Sequence, residues 1–286
     1  MSLILHNVSY TYGKGSSDEK QALRNIDLEI GSQEFTAIVG HTGSGKSTLL
    51  QLLNGLEKAT EGTVYYDGKD IYDKEYPIKE LRSKVGLVFQ YPEHQLFESS
   101  VIRDVEFGPR NLGWDNLQVE LSSYQALKDV GIGEELLDVS PLALSGGQKR
   151  RVALAGVLAM QPEILVLDEP MAGLDPMGRQ EIFELLQHLH KERKISVIFA
   201  SHSMDDVAEY AKRVIVMQDG KIVLDGTPRQ VFQYEKELEQ IGLGVPAATR
   251  VMHRLRADGN AVDDSCITAQ ESVQEILRWY GKRGAK

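Results

Sequence analysis

The sequence predicts a mixed α/β fold that encloses a helical insert and ends in a tail. Short apolar runs rich in β-branched residues, such as Phe35–Val39 and Ile164–Leu167, are typical of buried strands. Helical patterns such as 178–193 alternate with these runs in the second half of the chain. Between about 91 and 160 the pattern is mainly helical. We therefore expect one α/β core with a helical insert.

The predicted strands follow one another in a clear order. The first two alternate apolar and polar residues, as half-exposed strands do, and the polar stretch 13–20 separates them. Asp219-Gly220 favours a hairpin turn between the last two. The predicted strands are Leu3–Tyr12, 22–30, Phe35–Val39, 63–66, 85–89, Ile164–Leu167, Ser196–Ala200, 214–218 and 221–225.

Composition disfavours several classes of protein. The 286 residues include 42 acidic and 32 basic side chains, a net charge of -10. This balance argues against a basic face for nucleic acid or for anionic lipid. The lone Cys266 cannot form an internal disulfide, which fits a reducing cytosol. We expect no cationic leader and no membrane span, because no run of 18 uncharged apolar residues occurs.

The segment after the strand Phe35–Val39 carries the most specific motif. It reads Gly-His-Thr-Gly-Ser-Gly-Lys-Ser, and its glycines let backbone N–H groups turn inward around phosphate oxygens. A predicted helix at 47–54 follows, and a helix N-terminus attracts anions. Lys46 is expected to reach the β- and γ-phosphates of ATP, and the Ser47 hydroxyl to ligate Mg²⁺. This P-loop thus covers 40–47, and the predicted nucleotide-binding residues are its members with Thr48: Gly40, His41, Thr42, Gly43, Ser44, Gly45, Lys46, Ser47 and Thr48.

A second candidate phosphate-binding helix start lies at the end of the insert. Ser145, Gly146, Gly147 and Gln148 precede a helical stretch at 149–160, and small residues at a helix start suit an anion. Because the chain already has a P-loop, the economical interpretation is that this signature loop (145–148) closes over the nucleotide of another subunit. A simple helix cap by Ser145 is the alternative.

Two acids end the strand Ile164–Leu167. Asp168 is placed to hold Mg²⁺, directly or through water. Glu169 can orient or deprotonate the attacking water. Acids after an apolar strand are often only surface charges, but the turn at 173–176 just beyond them favours a functional interpretation.

Polar or aromatic residues end three other predicted strands. Gln90 follows 85–89, and its amide suits a sensor of water or Mg²⁺. His202 follows Ser196–Ala200 and can donate a hydrogen bond to a γ-phosphate. A lone glutamine or histidine is usually structural, but open α/β sheets bind ligands beyond their strand ends. Tyr12 could stack on an adenine face or pack in the core or a loop.

Taken together, these segments resemble the ATP-binding subunit of an ABC transporter. The resemblance covers roughly 3–235 and includes the P-loop, the signature loop, the acidic strand end and the D-loop (172–175), with Gln90 and His202 in family order. Within the family the chain is most similar to the energy-coupling factor ATPases. The segments 89–97, 107–109 and 146–153 carry that similarity. The residues at 40–43 and 90–92 resemble those of the second of the two paralogous ATPases in energy-coupling factor transporters.

The resemblance implies a fold, a cofactor and partners. It implies a RecA-like P-loop NTPase core with an antiparallel β subdomain in a domain at 1–235, the helical insert at about 91–160, and a C-terminal helical extension at 236–286. It implies ATP hydrolysis with Mg²⁺, with Glu169, His202, Gln90 and Lys46 as catalytic residues. The implied partners are a paralogous ATPase in a heterodimer, a transmembrane coupling subunit and a substrate-binding membrane subunit. These would hold the chain at the cytoplasmic face of the membrane and import a vitamin or a transition-metal ion.

Two features depart from this pattern or lie outside it. Met171 stands where the family usually has Thr or Ser, and we expect altered packing rather than lost chemistry. The tail predicts one helix with Ala247, Val251 and Leu255 on a stripe, and a last helix that begins near a Thr268–Glu271 capping box. Packing of the tail on its own core and contact within a dimer are the alternatives, and the resemblance favours the dimer.

Three other kinds of nucleotide-binding protein compete with this interpretation. Soluble ABC proteins of DNA repair carry long coiled-coil inserts, and those of translation usually hold two cassettes in one chain; this sequence has neither. A purely regulatory nucleotide binder would not need an intact Glu169 and His202. An ordinary importer or exporter ATPase that forms a homodimer differs only in the identity of its partner.

Overall fold

Ten strands form two sheets in the part of the chain that the computed structural model describes, residues 2–284. The outermost residues of the expected domains, Met1, Ala285 and Lys286, lie outside the described range. The mixed α/β class is confirmed. The strands are β1 Leu3–Tyr12, β2 Lys20–Ile30, β3 Phe35–Val39, β4 Glu61–Tyr66, β5 Lys69–Asp70, β6 Val85–Val88, β7 Ile164–Leu167, β8 Ser196–Ala200, β9 Arg213–Gln218 and β10 Lys221–Gly226.

The smaller sheet is antiparallel and has the order β2-β1-β4-β5. Strand β2 alternates buried and exposed residues over 26–30, and β1 buries Leu3 and Leu5 on one face, because one face packs on the core and the other faces solvent. β1 pairs with β2 so that Tyr12 lies opposite Lys20. The predicted antiparallel subdomain is this sheet.

The larger sheet has the order β10-β9-β3-β8-β7-β6 and is parallel except for β10. Every residue of β3, β7 and β8 is buried, which explains their continuous apolar sequences. Parallel strands end at the same edge of a sheet. The segments that follow β3, β6, β7 and β8 are therefore brought to one edge, where open α/β sheets bind their ligands.

Helices cover the larger sheet and form the insert and the tail. Between β6 and β7 the chain is helical, which confirms the predicted insert, and 3-10 turns at Pro92–Gln95, Glu134–Leu136 and Pro141–Ala143 connect its parts. The α-helices are α1 Lys46–Leu53, α2 Ile78–Lys84, α3 Val101–Asn111, α4 Asn116–Asp129, α5 Gly146–Leu158, α6 Pro176–Arg193, α7 Met204–Tyr210, α8 Pro228–Val231, α9 Glu235–Gln240, α10 Ala247–Ala257 and α11 Ala269–Gly284.

Two hydrophobic cores lie on opposite faces of the larger sheet. One contains Phe35, Phe183 and Phe199 and joins the sheet to α6 and to the insert. The other contains Ile38 and Leu49 and joins the sheet to α1 and the antiparallel sheet. Successive side chains of a strand point to opposite faces, so β3 contributes to both cores. This packing fixes the P-loop between the two sheets.

The tail has a small core of its own. Met252, Val262 and Cys266 are buried there, and Ile276 and Trp279 pack against them. Arg229 of α8 joins the tail to the rest of the chain, because its Nη2 lies 2.7 Å from Glu271 Oε1 and its Nη1 donates to the Ser265 carbonyl at 2.5 Å. The other face of α11 is exposed at Val273, Leu277 and Tyr280. Within the described range, none of the helices combines the length and apolar character that crossing a bilayer requires.

Candidate active site

The P-loop connects β3 to α1 through two glycines that no other residue could replace without strain. A Cβ atom at Gly40 would lie 2.5 Å from the Met217 carbonyl oxygen. Gly45, which precedes α1, has φ +106, and a Cβ there would lie 2.7 Å from the Ala22 carbonyl oxygen. These contacts hold the loop tightly against β9 and β2, so that its backbone curves around the N-terminus of α1.

Lys46 points back into this loop. Its Nζ donates to the carbonyl oxygens of Gly40 at 2.8 Å and His41 at 3.2 Å. Burial lowers the pKa of Lys46, while the nearby carboxylates of Glu169 and Asp168 act to raise it. The ammonium group therefore lies in a partly desolvated position, where it interacts more strongly with an anion than it would in water.

Two predicted catalytic side chains, those of His202 and Gln90, contact the carboxylate of a third, Glu169. His202 Nε2 lies 2.6 Å from Glu169 Oε1, and Gln90 Nε2 donates to Glu169 Oε2 at 3.2 Å. Glu169 has φ 49, a left-handed conformation that non-glycine residues seldom adopt and that often marks a functional site. The strand ends of β6, β7 and β8 bring these residues together from three separate parts of the chain.

Asp168 lies on the side of the acidic pair that faces the P-loop. Its carboxylate is hydrogen-bonded to the Ser47 hydroxyl. Burial raises the pKa of Asp168, and the Ser47 hydrogen bond opposes that shift. Two of the three side chains assigned to a metal ion from the sequence, Ser47 and Asp168, are thus neighbours, and Gln90 is the third.

A cleft of about 300 Å³ joins these groups. Tyr12 stands at its edge, where the Tyr12 hydroxyl lies 2.9 Å from Thr48 Oγ1 and the ring packs edge-on against Tyr10. Lys20 and Ala22 also line the cleft, although no motif in the sequence marks either as a site residue. The lining residues are Tyr12, Lys20, Ala22, Thr42, Gly43, Gly45, Lys46, Ser47, Thr48, Gln90, Glu169 and His202.

Replacing Tyr12 by Ala is expected to raise the KM for ATP by roughly 5- to 100-fold, the range that loss of base stacking on an aromatic ring produces. Tyr12→Phe keeps the ring and loses only the contact with Thr48, so its KM should change far less. Steady-state ATP hydrolysis of the two variants separates these effects. Equal KM values for Tyr12→Ala and the wild type would show that the ring does not contact the base.

The signature loop is absent from this cleft and lies at the start of α5. Ser145 Oγ accepts from the Gln148 amide at 3.3 Å, and the Gln148 side chain accepts from the Ser145 amide at 3.0 Å. The helix cap by Ser145, the alternative interpretation of this segment, is therefore present. Gly146 and Gly147 are exposed, and a Cβ atom on either would meet nothing within 4 Å in its own chain. Packing within the chain therefore does not require glycine at either position.

Met171 is buried next to the acidic pair. It belongs to the core that includes Phe183 and lines a second cavity of about 280 Å³ together with Glu169, His202 and Asp206. The methionine thus fills space behind Glu169 and brings no charge to the carboxylate. Altered packing relative to a Thr or Ser at this position stays a prediction.

Comparison with known proteins assigns this site to a family. The model of the ABC transporter family matches residues 23–172, which is more than half of the chain. An energy-coupling factor transporter ATP-binding protein, EcfA2, of Caldanaerobacter subterraneus is 50% identical over 286 residues and covers 100% of this chain and 99% of its own. EcfA2 of Streptococcus agalactiae is 49% identical over 278 residues, and the alignment covers 96% of this chain and 99% of that protein.

Solved structures agree with these relatives. CbiO1 of Clostridium perfringens, part of the ABC transporter complex CbiONQ, has a TM-score of 0.73 and 41% identity, and the alignment covers 89% of this chain and 98% of that one. The dimeric cassette MJ0796 bound to ADP and Pi has a TM-score of 0.69 and 32% identity, and the alignment covers 79% of this chain and 98% of that one. This chain therefore belongs to the ABC transporter family, among the ATP-binding proteins of energy-coupling factor transporters.

Proposed function

We propose that this chain is the ATP-hydrolysing subunit of an energy-coupling factor importer, which drives uptake of a vitamin or a transition-metal ion through membrane partners. The observation that carries the proposal is the meeting of Gln90 and His202 at the Glu169 carboxylate, across one cleft from the P-loop lysine. A nucleotide binder without hydrolysis would not require that constellation.

In the proposed mechanism Glu169 accepts a proton from the attacking water. The close contact with His202 and the hydrogen bond from Gln90 hold its carboxylate in place, which is the positioning that general base catalysis needs. Lys46 leaves the carbonyls of its own loop for the phosphates and offsets the negative charge that develops on them. His202 is close enough to the same centre to donate to the γ-phosphate once nucleotide enters.

Mg²⁺ fits the donors of this site. Magnesium prefers oxygen ligands and is usually held by one or two carboxylates together with substrate phosphates, and Ser47 and Asp168 supply a hydroxyl and a carboxylate in contact. A cation there would favour the charged form of Asp168, whose pKa burial raises. When bound, Mg²⁺ supplies charge neutralisation at the β- and γ-phosphates. The Gln90 amide oxygen is the third candidate ligand.

We further propose that the signature loop acts on the nucleotide of a partner ATPase. The loop lies outside its own cleft, and its two exposed glycines leave room for a phosphate to approach the N-terminus of α5 closely. Resemblance to the second of two paralogous ATPases supports a paralogue as the partner, in a heterodimer. Each nucleotide would then lie between the P-loop of one subunit and the signature loop of the other.

The docking segment (91–107) is the proposed contact with the transmembrane coupling subunit. Phe97 is 64% exposed, and its ring packs edge-on against the exposed Phe107 at 4.9 Å. Beside them lies an open groove of about 500 Å³ lined by Leu56, Leu87 and Phe89 among others. A contiguous apolar patch of this kind is typical of a protein contact. Such docking would hold the chain peripherally at the cytoplasmic face of the membrane, with a third, substrate-binding subunit in the membrane.

Replacing Phe97 by Asp is expected to weaken docking at least about tenfold, since aromatic side chains at interface centres dominate binding energy. The chain would then leave the membrane fraction, while ATP binding by the released chain stays unchanged. Leu117→Asp is the matched control, because Leu117 on α4 is also 64% exposed and lies outside the docking segment. Retention of Phe97→Asp at the membrane, equal to that of the control, would contradict the proposed surface.

A further inference from the structure

One buried guanidinium joins three functional segments of the chain. Arg150 lies on α5, two residues after the signature loop, and is only 5% exposed. Its Nε and Nη2 donate to the two carboxylate oxygens of Glu93 at 3.1 and 3.0 Å. Its Nη1 donates to the Pro170 carbonyl at 3.1 Å, and Nη1 and Nη2 both donate to the Ala172 carbonyl at 3.0 Å.

The hydrogen-bond partners of Arg150 lie in two places, the docking segment and the backbone that follows the catalytic Glu169. Glu93 lies in the 3-10 helix Pro92–Gln95, within the docking segment and three residues after Gln90. Pro170 is the residue after Glu169, and Ala172 lies two residues further along. The Ala172 amide donates to the Glu169 carbonyl at 3.0 Å. A displacement of the docking segment is therefore connected through one side chain to the backbone that carries the catalytic carboxylate.

The chemistry of this contact makes it stiff. A planar guanidinium binds a carboxylate in two parallel hydrogen bonds and can still donate to carbonyls at its far edge, which an ammonium group cannot do. Burial acts to raise the pKa of Glu93, yet the hydrogen bonds from Arg150 leave it below its ordinary value. The pair therefore stays charged near neutral pH, and separating it would leave a buried charge without a partner.

The neighbouring arginine shows that this arrangement is particular to Arg150. Arg151 donates to the Val130 carbonyl at 3.2 Å and pairs with Glu181 of α6 at 2.5 Å. Those contacts hold α5 to α4 and α6 and reach neither the docking segment nor the D-loop. The Arg151–Glu181 pair is therefore a control of the same chemistry on the same helix.

We propose that Arg150, held by Glu93, is a positioning residue that couples docking of the membrane subunit to the geometry of Glu169 and of the signature loop. This inference rests on the proposed function. When the docking segment moves, Glu93 pulls the guanidinium, and Arg150 moves the backbone at Pro170 and Ala172 together with the start of α5. The catalytic carboxylate of one site and the signature loop that completes the other then shift as one unit.

The test compares ATP turnover in the complex isolated from membranes with turnover in the ATPase subunits released from it. The ratio of the two rates measures stimulation by the membrane subunits. For Glu93→Gln, in complexes that retain the membrane subunits in the same amount as the wild type, the ratio should fall roughly 3- to 30-fold, because the link between the docking segment and Arg150 is weakened. Glu181→Gln should leave both the rate and the ratio unchanged.

Variants of Arg150 itself give a second, independent measurement. Arg150→Gln and Arg150→Lys should both lower kcat with little change in the KM for ATP, since neither the P-loop nor Tyr12 is touched. Lysine should fail to rescue, because one ammonium cannot serve three partners. A merely structural role predicts instead a lower melting temperature and equal losses in both preparations, with lysine restoring much of the loss. That pattern would overturn the proposal.

The outcomes separate the inference from the function on which it rests. If the wild-type complex contains membrane subunits that stimulate turnover, and Glu93→Gln shows the wild-type ratio, the coupling role is wrong and the proposed function stands. If the wild-type chain comes away from membranes without such subunits, both fail. If the subunits are present but give no stimulation, the coupling role is again wrong.

Discussion

Replacing Glu169 by Gln is expected to lower ATP turnover by about 100- to 10,000-fold, the contribution of a well-positioned general base. Glutamine has almost the same shape and still accepts a hydrogen bond, but it cannot take a proton from water. The variant should therefore bind ATP with nearly unchanged affinity and hold it unhydrolysed. Phosphate release and nucleotide retention, measured on the same sample, check both halves of this expectation.

Glu163→Gln is the matched control for that experiment. Glu163 stands at the opposite end of β7, where it accepts from the Tyr66 hydroxyl at 3.0 Å and pairs with Lys84 at 2.8 Å. Its loss of charge should leave turnover close to that of the wild type. Turnover by Glu169→Gln similar to that of this control would show that another group activates the water.

Replacing Lys46 by Ala is expected to produce the second large effect. Removal of a charged donor should weaken ATP binding about 10- to 100-fold. It should also lower kcat about 100-fold, because an aligned cation no longer offsets charge in the transition state. Nucleotide titration and saturating turnover separate the two losses. The fold should persist, since Lys46 contacts only the carbonyls of its own loop among the hydrogen bonds described.

Lys221→Ala is the control for the lysine experiment. Lys221 is exposed at the start of β10, and its replacement removes the same charge from the protein without touching the interior of the P-loop. Its ATP affinity and melting temperature should match those of the wild type. If Lys46→Ala kept wild-type affinity, the nucleotide phosphates would have to lie elsewhere.

Much of this architecture could be predicted because its signals are local. The bounds of β1, β3, β7 and β8 agree with the sequence prediction, since alternation or continuous burial leaves a direct trace in the residue pattern. The P-loop could be recognised for a similar reason, as its glycines, lysine and serine act within one turn of chain. The same locality placed Gln90, Asp168, Glu169 and His202 at strand ends.

What could not be predicted depends on contacts between distant parts of the chain. The polar character of 13–20 predicts a turn that includes Lys20, yet β2 begins there because Lys20 pairs across the sheet with Tyr12. Lysine has low strand propensity, and the cross-strand neighbour outweighs it. The short elements β5 and α2 were also missed, since two and seven residues carry too weak a pattern.

Arg150 is the clearest case of a residue that sequence reasoning could not place. An arginine in a basic stretch after a helix start is ordinarily solvent-exposed. Its burial depends on Glu93, 57 residues away, and on carbonyl groups 20 and 22 residues further along the chain. The strand order of the larger sheet could not be predicted either. It depends on which parallel strands become neighbours, and the sequence of a single strand does not determine its neighbours.

The domain limits near 235 and the roles of the site residues remain predictions. The tail packs around Met252 and Val262, and its exposed face at Leu277 and Tyr280 leaves contact within a dimer open. Packing of the tail is thus seen on one face, and dimer contact through the other face stays a prediction.

Gentle affinity purification of the chain from membranes tests the central claim most directly, with mass spectrometry of every retained protein and ATP turnover measured on the same eluate. We expect a second, different ATPase and a hydrophobic subunit to be retained, with turnover that Glu169→Gln abolishes. Elution of the chain alone from the soluble fraction, or together with ribosomes or DNA, would contradict its assignment to a membrane importer.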